Sequence, residues 1–170
     1  MSLVSTGGIT GEGQADLRFV AIDGPCWRAV PAGTDGAVLA GTIQPGRWNR
    51  PGERTLYMSG SPAGVIAAMT RYGEGPRTIV PLTVSANRLV DLRDPAHLAA
   101  MAFAPEMAAT DWRAALASGG VPPSWPISDF IRGSGAVGLI DPSRRLPGAW
   151  HLVLFRWNVP GAPVVTIRSR

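Results

Sequence analysis

Residues 46–69 read Gly46-Arg47-Trp48-Asn49-Arg50-Pro51-Gly52-Glu53-Arg54-Thr55-Leu56-Tyr57-Met58-Ser59-Gly60-Ser61-Pro62-Ala63-Gly64-Val65-Ile66-Ala67-Ala68-Met69. They pass from a loop through a strand into a helix. Arg54–Ser59 alternates Leu56 and Met58 with Thr55 and Tyr57, the period of a strand with two unlike faces. Ser61 then offers a side-chain oxygen to free helical N–H groups, and Pro62 fits the first helical position. Val65, Ile66, Met69 and Tyr72 keep helical spacing, and Gly73 supplies the stop. Arg47 lies in a loop of turn-forming residues, Asn49 adds a group that both donates and accepts, and Tyr57 follows on the strand. Two readings stay open for this cluster: a loop arginine reaching a ligand, or a solvated arginine beside a core tyrosine.

Outward from this stretch the elements are irregular. Leu17–Ile22 and Cys26–Val30 are short β-like runs, and Thr34–Gln44 is a loop or short element. Arg77–Val84, Arg88–Leu92, Val137–Ile140, His151–Trp157 and Val164–Arg168 are expected strands. Helices are expected from Asp94-Pro95 through Ala104, from Thr110-Asp111 through Ser118, and over Ser128–Arg132. Helices scattered among strands, without a βαβα rhythm, imply an α+β fold with mixed or antiparallel sheets. One domain over 1–170 is expected, with a ragged Gly/Ser/Thr-rich start at 1–16. Gly133-Ser134-Gly135-Ala136-Val137-Gly138 spells the dinucleotide-binding pattern. That pattern must follow a strand and open a helix, whereas here a strand-like run ends at Asp141-Pro142, so it is read as a turn.

Composition removes whole mechanisms. All 16 basic residues of the 170 are arginine, which excludes phosphate loops built on a lysine and Schiff-base chemistry. The net charge of +4 comes from arginines scattered mostly singly, so nucleic-acid binding is not expected. Cys26 is the lone cysteine and reads as a small core residue; with no apolar run long enough for a signal core or a membrane span, a cytoplasmic protein is expected. His97 and His151 lack zinc-site spacing, so no metal is expected; His97 reads as a surface or boundary residue, and Trp112 and Trp150 as core.

The ordered set Gly46-Arg47-Trp48-Asn49, Arg54-Thr55-Leu56-Tyr57, Ser61-Pro62 and Gly64-Val65-Ile66-Ala67 resembles the central motif of the RES-domain family, the toxins of Res–Xre toxin–antitoxin pairs. Cys26-Trp27-Arg28 resembles its early aromatic-arginine element. Gly138-Leu139-Ile140-Asp141-Pro142-Ser143, with Trp150-His151-Leu152-Val153-Leu154-Phe155, resembles its closing Pro-Ser element and strand. The resemblance implies a fold like that of ADP-ribosyltransferase toxins and a reaction that releases nicotinamide from NAD, ending in NAD degradation or in ADP-ribosyl transfer to a protein. It implies that Arg28 and Arg47 contact the pyrophosphate or ribose, with Asn49 beside them. The resemblance further implies that Tyr57 faces the nicotinamide side and that Ser143 is the serine of the arginine, glutamate and serine for which the family is named. An Xre-like antitoxin is the implied partner.

The chemistry suits these residue types. Arginine grips phosphate through two parallel N–H bonds, and loss of nicotinamide leaves an oxocarbenium-like ribose that a carboxylate stabilises. The family's glutamate, however, falls at Ala68. An introduced substitution, a natural divergence that uses another acid, and a register slip of one turn each account for this. Glu53 and Glu74 are the first substitutes to inspect. The alternative function is a degenerate module that binds NAD or an antitoxin without turnover.

Overall fold

The computed structural model describes residues 5–6, 17–71, 73 and 75–168. Seven strands are present: β1 (Ser5–Thr6), β2 (Phe19–Pro31), β3 (Leu56–Ser59), β4 (Arg77–Asp91), β5 (Gly138–Pro142), β6 (Trp150–Leu154) and β7 (Val164–Ile167). The helices are α1 (Pro62–Met69), α2 (Pro95–Ala100), α3 (Pro105–Ala109), α4 (Trp112–Ala117) and α5 (Ser124–Gly133), with a 3₁₀ turn at Asp35–Ala40. The fold is α+β, as expected, and the sheet is mixed: β4–β5 is parallel and the other pairings are antiparallel.

Strand order is β1-β2-β3-β6-β5-β4-β7, and β2 also pairs with β4. The pairings therefore close a circuit, β2–β3–β6–β5–β4–β2. Two expected breaks in the sequence are internal bends of long strands. The expected runs Leu17–Ile22 and Cys26–Val30 merge, from Phe19 onward, into one strand, β2, which slips register between Val20 and Ile22. Arg77–Val84 and Arg88–Leu92 likewise belong to β4, where Arg88 takes φ 57°. A bulge or a left-handed residue bends a strand without ending its ladder. Arg88 is held in that conformation by its guanidinium, which lies 4.4 Å from the Phe19 ring centroid and donates to Gly135 O at 3.2 Å.

Alternation along β5 and β6 divides the core. Leu152, Leu154 and Ile140 join a cluster with Leu56, Met58, Leu82 and Val84. Val153 and Leu139 face the other way, into a cluster with Trp48, Leu98, Ile127 and Ile131. Period-two side chains on these central strands thus bury both faces.

Several local expectations need correction. The helix from Pro95 ends at Ala100; Ala102 at φ 57° turns the chain and Pro105 opens α3. α5 begins at Ser124 rather than Ser128, because Pro126 falls in the first turn, where its missing N–H costs nothing. Ile66 is 60% exposed despite its helical spacing, while Val65 is buried. Tyr72, expected in the same helix, lies outside the described residues, as does the expected ragged start apart from Ser5–Thr6. His97 is buried, its Nδ1 2.6 Å from Asp91 O, rather than at the surface. The Gly133–Gly138 run connects the end of α5 to the start of β5, the reverse of a strand-to-helix phosphate loop.

Candidate active site

The Gly46–Asn49 loop is shaped by its own side chains. Asn49 is fully buried and donates through Nδ2 to the carbonyls of Gln44, Arg50 and Glu53. Its Oδ1 accepts from the Tyr57 hydroxyl at 2.7 Å, and that hydroxyl accepts from Trp48 N–H at 3.0 Å. A Cβ on Gly46 would sit 2.5 Å from Asn49 Oδ1 and 2.7 Å from the Tyr57 oxygen, so only glycine admits this approach. From α5, Ser124 Oγ donates to Arg47 O at 2.6 Å and Trp125 Nε1 donates to Gly46 O at 2.9 Å. The loop is clamped on both sides, and Arg47 is thereby aimed.

A cleft of about 460 Å³ opens beside this loop. Arg28 from β2, Arg47, Tyr57 from β3, Ala68 from α1 and Ser143 after β5 all line it. The sequence spreads these residues over most of the chain; the closed strand circuit gathers them. Asn49 is not on this wall. It lies beneath it, with its polar atoms spent on the loop and on Tyr57. Glu53 is likewise outside the wall: it accepts from Arg50 N–H at 2.6 Å and stands 3.7 Å from Arg132. Glu74 lies outside the described residues.

The wall is strongly cationic. Among the described residues, seven arginines line the cleft against one carboxylate, Asp141. Arg28 Nη1 donates to Tyr57 O at 3.3 Å, while its buried Nε has no partner among the described residues. Burial pulls the Arg28 guanidinium below its ordinary pKa. Arg47 donates from Nη1 to Ala108 O at 2.8 Å and to Thr110 O at 2.7 Å. Burial, reinforced by the positive charge of Arg144, lowers its pKa to about 10, with Asp141 and Asp111 opposing. Neither arginine makes an ion pair with a carboxylate among the described residues. Cations withdrawn from water are ordinarily paired, so these two half-buried guanidinium groups leave the wall with uncompensated positive charge.

Ser143 orders the loop after β5. Its Oγ accepts from the N–H groups of Arg145 (3.4 Å) and Leu146 (3.2 Å), turning Arg144 back onto Asp141. Arg144 grips Asp141 with both ends of its fork, Nη1 to Oδ2 at 2.7 Å and Nη2 to Oδ1 at 3.0 Å. Nη2 also donates to Ala108 O at 2.6 Å. Arg47, Arg71, Arg144 and Arg145 reappear with Asp111 around an adjoining cavity, where Arg71 pairs with Asp111 at 2.9 Å. Trp112, expected in the core, instead lines the cleft on a helix with no buried residue.

Sequence reasoning missed Ser59, Asp141, Arg144 and His151 in this wall. Their signal was present: β3 and β5 each carry a polar residue after an apolar run, and β6 carries one just before its apolar run. Ser59 Oγ and His151 Nδ1 are 2.8 Å apart. Burial lowers the His151 pKa; Asp141 opposes that shift and Arg144 adds to it. Cys26 lies in the core, fully buried, and burial pushes its thiol up to about 12. Among the described residues, no helix is long and apolar enough to cross a membrane.

Comparison with known proteins bears on the family and the fold. A family model described as the RES domain matches residues 24–169. A chain of the M. tuberculosis MbcT–MbcA toxin–antitoxin complex superposes with a TM-score of 0.60 at 18% identity, covering 89% of this chain and 84% of that one. At that identity the likeness is one of fold. No curated protein sequence matches the chain.

Proposed function

Because the chain belongs to the RES-domain family, we propose that it is the toxin of a toxin–antitoxin pair, and that its cleft binds NAD and cleaves the nicotinamide–ribose bond. One observation carries the reading: Arg28 and Arg47 are half-buried cations without a carboxylate, on the same wall as Tyr57, Ala68 and Ser143. A pyrophosphate supplies the missing charge and takes two N–H bonds from a guanidinium. The unpartnered Arg28 Nε is a donor suited to a phosphate oxygen.

In this reading Arg28 and Arg47 hold the pyrophosphate or ribose side, and the Tyr57 ring offers a flat face toward nicotinamide. The Tyr57 hydroxyl is committed to Asn49 and Trp48, so its contribution is position. Asn49 serves NAD indirectly by fixing that ring and the Arg47 loop. Ser143 acts by ordering the loop that carries Arg144. Nicotinamide departs with the C1′–N bonding pair and leaves positive charge on the ribose. Ala68 offers that charge nothing, and Asp141 is the carboxylate on the described wall. Water gives NAD degradation; a protein side chain gives ADP-ribosyl transfer.

The solved relative of like fold is a chain of a toxin–antitoxin complex, which supports an antitoxin partner for this chain. By the family resemblance that partner is Xre-like, and both proteins act in the cytoplasm without a metal. Incubation with NAD and separation of the products tests the reading: free nicotinamide is expected, increased in Ala68→Glu. Arg47→Ala should abolish NAD binding by calorimetry, and Arg47→Lys should restore charge without the fork. Binding without nicotinamide release, in both the native chain and Ala68→Glu, would identify a binding module instead.

A further inference from the structure

The register of three adjacent strands sorts their residues into rows. Leu56–Leu154–Gly138, Tyr57–Val153–Leu139 and Met58–Leu152–Ile140 lie abreast on β3, β6 and β5, and these rows are apolar apart from the Tyr57 hydroxyl. The next row is Ser59–His151–Asp141, polar throughout. Residues directly opposite one another share a face, with Cβ atoms roughly 5 Å apart, and all three line the cleft. Ser59 and Asp141 are buried. Polar groups placed in a row at the wall of a cleft need a reason, since burying them is costly.

We propose that Ser59 and His151, backed by Asp141, form a proton relay that activates the nucleophile capturing the ribose. This rests on the NAD-cleaving reading above and adds a base for the nucleophile that captures the ribose. Ser59 Oγ and His151 Nδ1 are 2.8 Å apart; in the relay the hydroxyl donates to Nδ1 and the ring proton sits on Nε2. Ser59 Oγ is then free to accept from a water or acceptor hydroxyl in the cleft. As the C1′–N bond breaks, its electron pair leaves on nicotinamide. The nucleophile's oxygen forms the new bond to C1′, its proton passes to Ser59 Oγ, and the Ser59 proton passes to His151 Nδ1. The resulting imidazolium faces Asp141, which offsets the charge of Arg144; solvent removes the proton afterwards. Burial keeps His151 neutral beforehand, the form a base requires. Arg144 holds both Asp141 oxygens, so Asp141 acts through its field.

His151→Ala opens space beside Ser59, which allows a test that a merely structural histidine would fail. Nicotinamide release is measured in the native chain, in His151→Ala with and without added imidazole, and in Ser59→Ala. The expected result is a fall in kcat on the order of a hundredfold for His151→Ala at little-changed KM. Imidazole should recover it in proportion to its free-base form, whereas Ser59→Ala should stay slow with or without it. Full activity in both variants, or loss without recovery in a His151→Ala protein that keeps its NAD affinity, overturns the relay and leaves NAD cleavage standing. No release from the native chain overturns the relay, and no release from Ala68→Glu either overturns NAD cleavage with it.

Discussion

Replacing Arg144 by alanine should expose how much of the cleft wall rests on one ion pair. The Asp141 side chain is 6% exposed and receives both ends of the Arg144 fork, itself 28% exposed. Breaking a buried pair from one side costs about 3–5 kcal/mol, because the remaining charge is stranded. Arg144 is 28% exposed and partly solvated, which brings the cost to the bottom of that range or just under it, about 2–3 kcal/mol. The Ala108 carbonyl adds little, since Arg47 still donates to it at 2.8 Å. For a chain of this size each kcal/mol lowers Tm by roughly 2–4 °C, which gives a fall of about 5–10 °C by differential scanning calorimetry. Asp141→Asn in the same chain should restore most of the loss, because a neutral amide no longer needs the cation. Equal loss in the single and double variants would refute the reasoning, as would a loss under about 1 kcal/mol.

Gly46→Ala should lower stability by about 1–3 kcal/mol through overpacking against Asn49 and Tyr57, and should weaken NAD binding with it; an unshifted Tm would show that the loop is not clamped. Ser61→Ala removes the acceptor for Gly64 N–H at 3.0 Å and should cost about 1 kcal/mol in urea denaturation at unchanged m-value. The thiol of Cys26, raised to about 12, should resist a disulfide reagent at pH 8 in the native protein and react on unfolding; prompt native reaction would contradict its burial. His151 has a lowered folded pKa, so the unfolded chain binds more protons below about pH 6.5. Its contribution is therefore complete above that pH and lost as pH falls through it. His151→Gln should flatten the dependence of Tm on pH in that window, and an unchanged slope would count against the buried neutral imidazole.

What the sequence disclosed was local. Ser61-Pro62 marks the start of α1 because a cap is a contact within four residues, and the strand alternation around Tyr57 needs no partner to be seen. Arg47 and Tyr57 were legible as a cluster for the same reason. That Asn49 lies behind the cleft wall is not legible locally, because which face of a turn meets the cleft depends on Tyr57 reaching back to it. Long-range pairing hid the rest. Nothing near Arg88 tells that β4 continues through a left-handed residue, since Phe19 and Gly135, which hold it there, lie far away in sequence. Ser59, His151 and Asp141 look unremarkable singly and become a row only through the registers of β3, β6 and β5. His97 looked exposed because its carbonyl partner, Asp91 O, belongs to the end of a strand.

The closed circuit β2–β3–β6–β5–β4–β2 has a consequence for when the site comes into being. Arg28 stands on the second strand and His151 on the sixth, and β2 pairs along its length with β4, so the contacts that shape the cleft are mostly remote in sequence. High contact order makes such pairings late events in folding. A ribosome that has delivered everything up to α5 has still not supplied Asp141, Ser143 or His151. The nascent chain is therefore inert until β6 docks between β3 and β5, and the cleft appears whole or not at all.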